Sequence, residues 1–356
     1  MCGSSFYIWS RASILSQCGE LCCYCLTYSH GDALEVKRAM QITYSPAYTI
    51  VPTYECFNRC SYCNFRVDPN TDNWMTIDRA TQMLTDLQGT GICEILILSG
   101  EVHPQSSRRQ AWFDRIYDLC QLALDFGFLP HSNVGPLSYA EMEKLAQVNV
   151  SMGLMLESLD LVLLEGVHRH APSKVPAIRI EQLNWAGKLK IPFTTGLLLG
   201  IGESEQDWAT SLQSIADIHV QWGHIQEIIL QPYSPGSQES FARLSFDITK
   251  LPIVINLARQ ILPDDITIQI PPNLISSPDL LLACLAAGAR DLGGIVPKDE
   301  VNPDYDHLQL PALTRLLASA GWELSPRLPV YPSQEPNLSP ALLAYLQAHR
   351  HARVGS

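Results

Sequence analysis

The feature that most restricts the fold of this chain is a regular alternation of short apolar runs with helix-like stretches, from residue 41 to about residue 300. The apolar runs are rich in aliphatic and β-branched residues, and the stretches between them repeat apolar residues at i, i+3 and i+4. About eight strand–helix units follow one another, with connections too long for hairpins. This pattern predicts a parallel α/β sheet with right-handed crossovers that closes into a full or partial (β/α) barrel, with an open doubly wound sheet as the alternative.

The predicted strands lie at the apolar runs, and a predicted helix follows almost every one of them. The strands cover residues 48–53, 94–98, 129–133, 151–156, 193–199, 226–231, 266–270 and 289–293, and the helices cover residues 77–90, 111–126, 177–189, 205–222, 248–261 and 279–287. Another helix begins near Tyr139 with Ser138 as its N-cap. Helices are also predicted at residues 310–321 and 339–349. Residues 41–300 are therefore predicted to be the barrel, and residues 301–356 a C-terminal helical extension packed on it.

The composition predicts a large buried core and disfavours two classes of partner. Hydrophobic residues make up 46% of the 356 residues and charged residues only 17%, whereas charged residues make up about 25% of ordinary soluble domains. The net charge of −12 disfavours nucleic acid and anionic membranes as partners. No apolar run reaches the length of a membrane-spanning helix, so no such helix is predicted.

Three cysteines, Cys56, Cys60 and Cys63, form a C-x3-C-x2-C pattern directly after the first predicted strand. Three thiolates at this spacing can bind three corners of a cubane iron–sulfur cluster, which leaves the fourth iron open to another ligand. The alternative is a structural zinc site, but zinc prefers four ligands and no second ligand pair follows residue 63. Clustered cysteines in a chain with a strong core favour metal binding over disulfides, which predicts a reducing, cytoplasmic setting.

The same spacing occurs earlier in the chain, at Cys18, Cys22 and Cys25. No strand-like run precedes this second trio, and no α/β pattern follows it until residue 41. Residues 1–40 are therefore predicted to be a loosely structured N-terminal extension, with Met40 as a candidate for the functional start. The metal chemistry is assigned to the later trio because of its position at the end of the first strand.

Functional groups collect at the carboxyl ends of parallel strands, so the residues that follow each predicted strand are candidates for a site. Ser99-Gly100-Glu101 closes the second strand, where glycine permits close approach of a ligand and a carboxylate can accept from an ammonium group. Tyr62 can stack on a planar ligand such as adenine.

The basic residues His168, Arg169 and Arg179 follow the fourth strand and predict a clamp for a carboxylate. Solvated loop charge is an equal alternative.

These motifs together resemble the radical S-adenosylmethionine (radical SAM) superfamily. The resemblance is carried by the cysteine pattern, Tyr62 before the last cysteine, the Gly100–Glu101 pair and the string G-L-L-L-G-I-G-E at 196–203. It implies a full or partial (β/α) barrel, and a 4Fe–4S cluster on the three cysteines whose open iron binds SAM. The protein then provides orientation and a dry cavity for radical chemistry. The implied SAM-binding residues are Tyr62, Gly100, Glu101, Glu157, Arg169, Arg179 and Gly200.

A narrower similarity extends over most of residues 42–300. N-V-G-P-L-S at 133–138, V-N-V-S-M-G-L-M-L-E-S at 148–158, V-H-R at 167–169, P-F-T-T-G-L-L-L-G-I-G-E at 192–203 and G-H-I-Q-E-I-I-L-Q at 223–231 resemble the CofG-type subunit of FO synthase. This resemblance implies a lyase that cyclises 5-amino-5-(4-hydroxybenzyl)-6-(D-ribitylimino)uracil to 7,8-didemethyl-8-hydroxy-5-deazariboflavin with loss of ammonia. Residues 1–40 lie outside the resemblance, and residues after Gly294 match it only loosely.

The resemblance also implies partners. The substrate would come from a CofH-type subunit that can form a complex with this one, and a ferredoxin or flavodoxin would donate the electron. Neutral polar groups at strand ends, namely Asn133, Gln226, Gln231 and Asn273, are expected to bind the uracil and its ribityl chain. Alternatives are a related radical SAM enzyme of the CofH or futalosine-pathway type, which favours Phe in place of Tyr62, and, outside enzymes, a zinc-stabilised or electron-transfer protein.

Overall fold

The computed structural model describes residues 40–239, 241, 244–275, 277–306 and 309–354, with only the backbone for residues 351–354. The predicted N-terminal extension, with Cys18, Cys22 and Cys25, thus lies outside the described residues except for Met40. The described residues belong to one compact unit. None of the helices in these ranges is both long and apolar enough to span a bilayer.

In this part of the chain the backbone forms nine strands and nine α-helices. The strands are β1 (Met40–Ile50), β2 (Glu94–Leu98), β3 (Leu129–Asn133), β4 (Ser151–Gly153), β5 (Phe193–Leu199), β6 (Ile225–Pro232), β7 (Thr267–Gln269), β8 (Asp291–Ile295) and β9 (Trp322–Pro326), and the helices are α1 (Ile77–Asp86), α2 (Arg109–Asp125), α3 (Tyr139–Leu145), α4 (Pro176–Lys188), α5 (Glu205–Trp222), α6 (Leu251–Ile261), α7 (Pro278–Ala286), α8 (Leu310–Ser319) and α9 (Pro340–Val354). β2, β3, β5 and α5 match their predicted bounds. β1 begins eight residues earlier than predicted, and β4 ends three residues earlier.

Strands β1 to β8 close into a barrel in which all neighbouring strands are parallel. Closure occurs at β1, which pairs with β2 through Ala47–Glu94 to Ile50–Ile97 and with β8 through Thr43–Asp291 to Pro46–Ile295. The predicted (β/α) barrel is therefore confirmed in its full form, and the open doubly wound sheet is excluded. β5 is buried along its whole length, as expected for a parallel strand with helices on one face and the barrel interior on the other.

Helix boundaries follow the local sequence. Ser138 and Glu141 form a capping box at the start of α3, which confirms the predicted N-cap. A second capping box, formed by Ser204 and Asp207, starts α5. Helix α5 then ends at Gly223, whose φ of 68° places it in the left-handed region that favours glycine.

The C-terminal region differs from the prediction in one element. Its helices α8 and α9 are present, but β9 lies between them and joins the sheet, pairing with β1 from Met40–Trp322 to Tyr44–Pro326. At Thr43, β1 has β8 on one edge and β9 on the other, so β9 occupies the same edge as β2, nearer the N-terminal end of β1. The prediction of a purely helical extension was therefore wrong for residues 322–326. Their short, mixed sequence has little strand signal, and pairing with β1 stabilises the strand.

After β9, residues 327–331 cross the N-terminal end of the barrel, and we call them the closing segment. The Arg327 N–H donates to Tyr44 O (2.7 Å). The Gln226 side chain donates to Pro329 O (2.9 Å) and accepts from Tyr331 N–H (3.0 Å). These bonds hold the closing segment against β1 and β6, and the Arg327 side chain points into the barrel.

Candidate active site

A cavity of about 360 Å³ runs through the barrel interior. Cys56, Cys60 and Cys63 line its upper end, where the strands have their carboxyl ends, and Glu227 and Arg327 line its lower end. The upper end thus lies where a parallel barrel places its functional groups. The lower end is closed by the closing segment.

The cysteine loop is fixed to neighbouring segments by backbone hydrogen bonds. Cys56 N–H donates to Val67 O (3.1 Å), and Ser61 N–H donates to Val167 O (3.1 Å). Burial raises the pKa of the Cys56 thiol to about 11 and that of Cys60 to about 12. Ionised thiolates at this position therefore need a compensating positive charge, which a metal centre supplies. Within the described ranges, no three His, Cys, Asp or Glu side chains are placed to hold a single metal ion.

Two glycines position the predicted carboxylate of Glu101. A Cβ on Gly100 would lie 2.2 Å from Glu55 O, so only glycine allows the end of β2 to approach the cysteine loop this closely. Gly135 has a φ of +85°, and a Cβ there would lie 2.4 Å from Glu101 Cδ. Phe57 N–H also donates to Glu101 O (3.0 Å). The Glu101 carboxylate therefore lies in a fitted position at the upper end of the cavity.

Two basic side chains that follow β4 pair with two acidic side chains of the cavity. Glu157, at a φ of 69°, is buried and forms an ion pair with Lys174. Burial alone would raise the pKa of Glu157, but Lys174 and Arg179 outweigh it and lower that pKa. Arg179 donates to Ser173 O and Met155 O (both 2.9 Å) and lies 3.8 Å from Glu101 Oε1. The upper end therefore presents both charges in matched pairs.

Tyr62 lines the cavity and contacts His168. The Tyr62 hydroxyl lies 2.9 Å from His168 Nε2, and the two rings meet edge to face. Burial lowers the pKa of His168 to about 4, so the imidazole is neutral near pH 7. The hydroxyl and Nε2 therefore share a neutral hydrogen bond whose direction depends on the histidine tautomer, and the histidine anchors the aromatic ring rather than carrying charge.

Most of the residues that the sequence predicts for the site line the same cavity. These are Cys56, Cys60, Tyr62, Cys63, Gly100, Glu101, Asn133, Glu157, Arg179 and Gln231. Contact of each with a ligand stays a prediction. Their convergence from six separate chain segments follows from barrel closure, which brings all strand ends to one opening.

Four other predicted residues lie away from the cavity lining. Arg169 is exposed at the surface. Gly200 is part of the turn after β5, where its N–H donates to Glu203 Oε1 (2.5 Å). The Gln226 side chain is hydrogen-bonded to the closing segment, and the Asn273 side chain donates to Asp299 Oδ2 (2.9 Å). Each has a structural contact or is exposed to solvent, and its contact with a ligand stays a prediction.

Several cavity residues were missed by the sequence analysis. Lys174 lines the cavity and pairs with Glu157, and its only signal in the sequence is its position in the loop after β4. Glu227 could have been found, because Glu227, Ile229 and Gln231 share one face of β6 while Gln226 lies on the other. Arg327 has no such signal, since it follows a strand that the sequence did not predict.

Comparison with known proteins decides the family. Residues 50–215 match the Radical SAM superfamily. The 7,8-didemethyl-8-hydroxy-5-deazariboflavin synthase of Trichormus variabilis is 62% identical over 314 residues, which cover 88% of this chain and 92% of that protein. The enzyme of the same name from a Nostoc species is 63% identical over 308 residues, 86% of this chain and 91% of that protein. This chain belongs to the 7,8-didemethyl-8-hydroxy-5-deazariboflavin synthase family.

Membership confirms the predicted superfamily and family, and it makes the protein an enzyme. The family implies a 4Fe–4S cluster and SAM. The alternatives of a CofH-type or futalosine-pathway enzyme and of a zinc-stabilised or electron-transfer protein are not favoured, since the curated relatives carry the synthase name.

Solved structures support the fold. The FeFe-hydrogenase maturase HydG from Carboxydothermus hydrogenoformans superposes with a TM-score of 0.69 at 17% identity, over 87% of this chain and 74% of that one. Methylornithine synthase (PylB) gives a TM-score of 0.61 at 15% identity, over 80% and 84% of the two chains. At such identities the likeness establishes the barrel alone.

Proposed function

We propose that this protein is the radical SAM lyase that cyclises 5-amino-5-(4-hydroxybenzyl)-6-(D-ribitylimino)uracil to 7,8-didemethyl-8-hydroxy-5-deazariboflavin, with loss of ammonia. The observation that carries the proposal is that the cysteine trio faces one barrel cavity together with paired charges and neutral amides. Relatives of about 60% identity named for this product support it.

The upper end of the cavity fits a 4Fe–4S cluster. Cys56, Cys60 and Cys63 lie on one fixed loop, and Asn58 Nδ2 lies 3.7 Å from Cys56 Sγ, close enough for a weak donor contact to the sulfur. These three side chains would hold the cluster and leave one iron open. When bound there, the reduced cluster would supply the electron for radical chemistry with SAM.

Both charges of the SAM amino-acid group find a partner in the cavity. Glu101, held by Gly135, would accept hydrogen bonds from the ammonium group. Lys174 and Arg179 would bind the carboxylate, with Glu157 between them to set their positions. The Tyr62 ring would stack on the adenine. Lys174 thereby takes the role predicted for Arg169.

Neutral amides next to the SAM residues suit the uracil. Asn133 and Gln231 line the cavity at the carboxyl ends of β3 and β6. Each side-chain amide both donates and accepts, which matches the alternating donors and acceptors of a uracil edge. We assign these two residues to the uracil, and no longer Gln226 or Asn273.

The partners follow from the same proposal. A CofH-type subunit would supply the substrate, with or without a stable complex, and a ferredoxin or flavodoxin would supply the electron. A cytoplasmic location would provide the reducing conditions that the cluster requires.

The test uses anaerobically reconstituted protein with SAM, a reductant and the isolated product of the partner subunit. We expect about four irons per chain, formation of 5′-deoxyadenosine and a fluorescent deazaflavin. SAM cleavage without the deazaflavin would refute the specific reaction and retain the superfamily chemistry. Colourless protein that binds zinc instead of iron would refute both.

A further inference from the structure

The lower end of the cavity is polar although it lies deep in the barrel. We call its polar lining the floor. It consists of Glu94, His131, Thr194, Glu227, Gln269 and Arg327. Five of these side chains come from the strands β2, β3, β5, β6 and β7, and the sixth comes from the closing segment. The proposed function assigns none of them a role.

Two carboxyl groups bind one guanidinium at the floor, and the carboxyl group of Glu94 lines the same end of the cavity. Arg327 binds Asp291, just behind the floor, through Nε (2.6 Å) and Nη2 (2.9 Å), and Nη2 lies 3.0 Å from Glu227 Oε1. Neighbouring carboxylates in a buried site cannot all ionise. Burial raises the pKa of Glu94 and raises that of Glu227 well above its ordinary value, while Arg327 outweighs burial at Asp291 and lowers that pKa. Burial thus favours the protonated forms of Glu94 and Glu227, beside the ion pair of Asp291 with Arg327.

The remaining floor groups are neutral as well. His131 Nδ1 lies 2.7 Å from Ser151 Oγ, and burial lowers the pKa of His131 to about 3. The Gln269 amide packs against Gly293, where a Cβ would lie 2.2 Å from Nε2. Its amide has no hydrogen-bond partner among the residues that the structure describes. Beside the charge of Arg327, which Asp291 balances, the floor thus offers hydrogen-bond donors and acceptors to the cavity.

The floor is remote from the cysteine loop. Glu227 on the floor and Gln231 at the upper end are four residues apart on β6, which separates them by about 13 Å at roughly 3.3 Å per residue. A ligand with reacting atoms at the upper end reaches the floor only through an elongated tail. An anionic tail would meet carboxyl groups, and an alkyl tail would leave buried polar groups unpaired.

We propose that the floor is the binding subsite for a neutral polyhydroxylated tail of the substrate. Each hydroxyl both donates and accepts, which suits a neutral mixture of carboxyl, imidazole and amide groups. The inference rests on the proposed function, under which the tail is the ribityl chain. It makes Gln269 and Glu94 substrate-binding residues and gives the C-terminal region a part in the site through Arg327.

The test compares three probes by calorimetry on reconstituted protein with SAM and without reductant. The probes are a uracil with a ribitylamino group at C6, the same uracil with a pentylamino group, and one with a 5-aminopentylamino group, which carries an ammonium at its end. We expect the wild-type protein to bind the ribityl probe at least about tenfold more tightly than the pentyl probe. Gln269→Leu and Glu94→Leu should each reduce this ratio several-fold, with the affinity for the pentyl probe maintained. Gln206→Leu, on the exposed face of α5, is the matched control and should leave the ratio unchanged.

Equal affinity of the wild-type protein for the ribityl and pentyl probes would overturn the subsite. Tightest binding of the ammonium probe would overturn it too, because the floor would then be a cation site. If both leucine variants keep the wild-type ratio of ribityl-probe to pentyl-probe affinity, the hydroxylated tail binds elsewhere. If the ribityl preference holds while the wild-type protein forms no deazaflavin, the proposed reaction fails and the subsite stands.

Discussion

The two ends of the barrel cavity are polar in different ways. At the upper end each acid has its own cation, Glu157 with Lys174 and Glu101 with Arg179. At the floor two carboxyl groups, those of Asp291 and Glu227, share the single guanidinium of Arg327, and burial raises the pKa of a third, Glu94. The upper end can therefore bind a zwitterion by exchanging partners, whereas the floor has more buried carboxyl groups than cations, so burial there favours protonated carboxyl groups.

The two ends also differ in how they are built. The cysteine loop is one short segment, fixed by backbone hydrogen bonds that do not involve the thiols. The floor network joins Glu227, Asp291 and Arg327, which are far apart in the chain and tie β6 and β8 to the closing segment. Changes at the upper end should therefore affect chemistry before stability, and changes at the floor should affect stability first.

The largest effect is expected from the cysteines. Cys56→Ala, Cys60→Ala or Cys63→Ala should abolish cluster binding and SAM cleavage, because a cubane cluster on two thiolates is not held. Iron content and 5′-deoxyadenosine formation measure this. The iron-free variants should unfold at nearly the same temperature as the iron-free wild-type protein.

The matched control is the earlier trio with the same spacing. Replacing Cys18, Cys22 and Cys25 together with Ala should leave the iron content unchanged. Loss of iron in that triple variant would show that spacing, and not position after β1, selects the cluster site.

The second largest effect is expected from Arg327→Met. It leaves the buried Asp291 and Glu227 without their shared cation, which should cost about 3–5 kcal/mol of the free energy of unfolding. Arg327 lowers the pKa of Asp291 in the wild-type protein, whereas the folded variant must hold a proton on Asp291 that the unfolded chain releases above about pH 4. From pH 5 to 8 the stability of the variant should therefore fall relative to that of the wild-type protein, by up to about 1.4 kcal/mol per pH unit. Thermal unfolding across this pH range measures it.

Arg79→Met, at an exposed position of α1, is the control and should change stability by less than about 0.5 kcal/mol. The contrast between the two ends of the cavity would be lost if Arg327→Met unfolded in parallel with the wild-type protein at every pH.

The same contrast explains how much the sequence could predict. Glu101 and Glu157 follow strands with clear apolar patterns, so their place at the upper end follows from parallel topology. Arg169 and Lys174 lie in one irregular loop, and nothing local shows which of them turns inward. Arg327 depends on β9, a strand stabilised by pairing with β1 and not by its own sequence. The local sequence pattern therefore predicts which residues lie at the upper end, whereas the residues of the floor are identified only from the three-dimensional structure.

A smaller effect is expected at Gly135, and Gly127 offers a matched control. Their φ values are +85° and +82°, so alanine should cost about 1 kcal/mol of stability at either position. Only at position 135 would the new Cβ overlap Glu101, since nothing lies within 4 Å at position 127. Gly135→Ala should therefore weaken SAM binding about tenfold, the equivalent of one charged hydrogen bond, and Gly127→Ala should leave it unchanged. Equal SAM affinity of the two variants in equilibrium binding would remove Glu101 from the SAM site.

The smallest effect is expected from Tyr62→Phe. The substitution keeps the ring that lines the cavity and removes the hydroxyl that is hydrogen-bonded to His168. Loss of one neutral hydrogen bond should cost about 1 kcal/mol of stability, while SAM affinity should change less than about threefold because stacking needs only the ring. Tyr139→Phe, on the partly exposed surface of α3, should cost less than about 0.5 kcal/mol. If Tyr62→Phe weakened SAM binding more than tenfold without loss of stability, the hydroxyl would be a ligand contact, and the upper end would bind SAM through a neutral donor as well as through its paired charges.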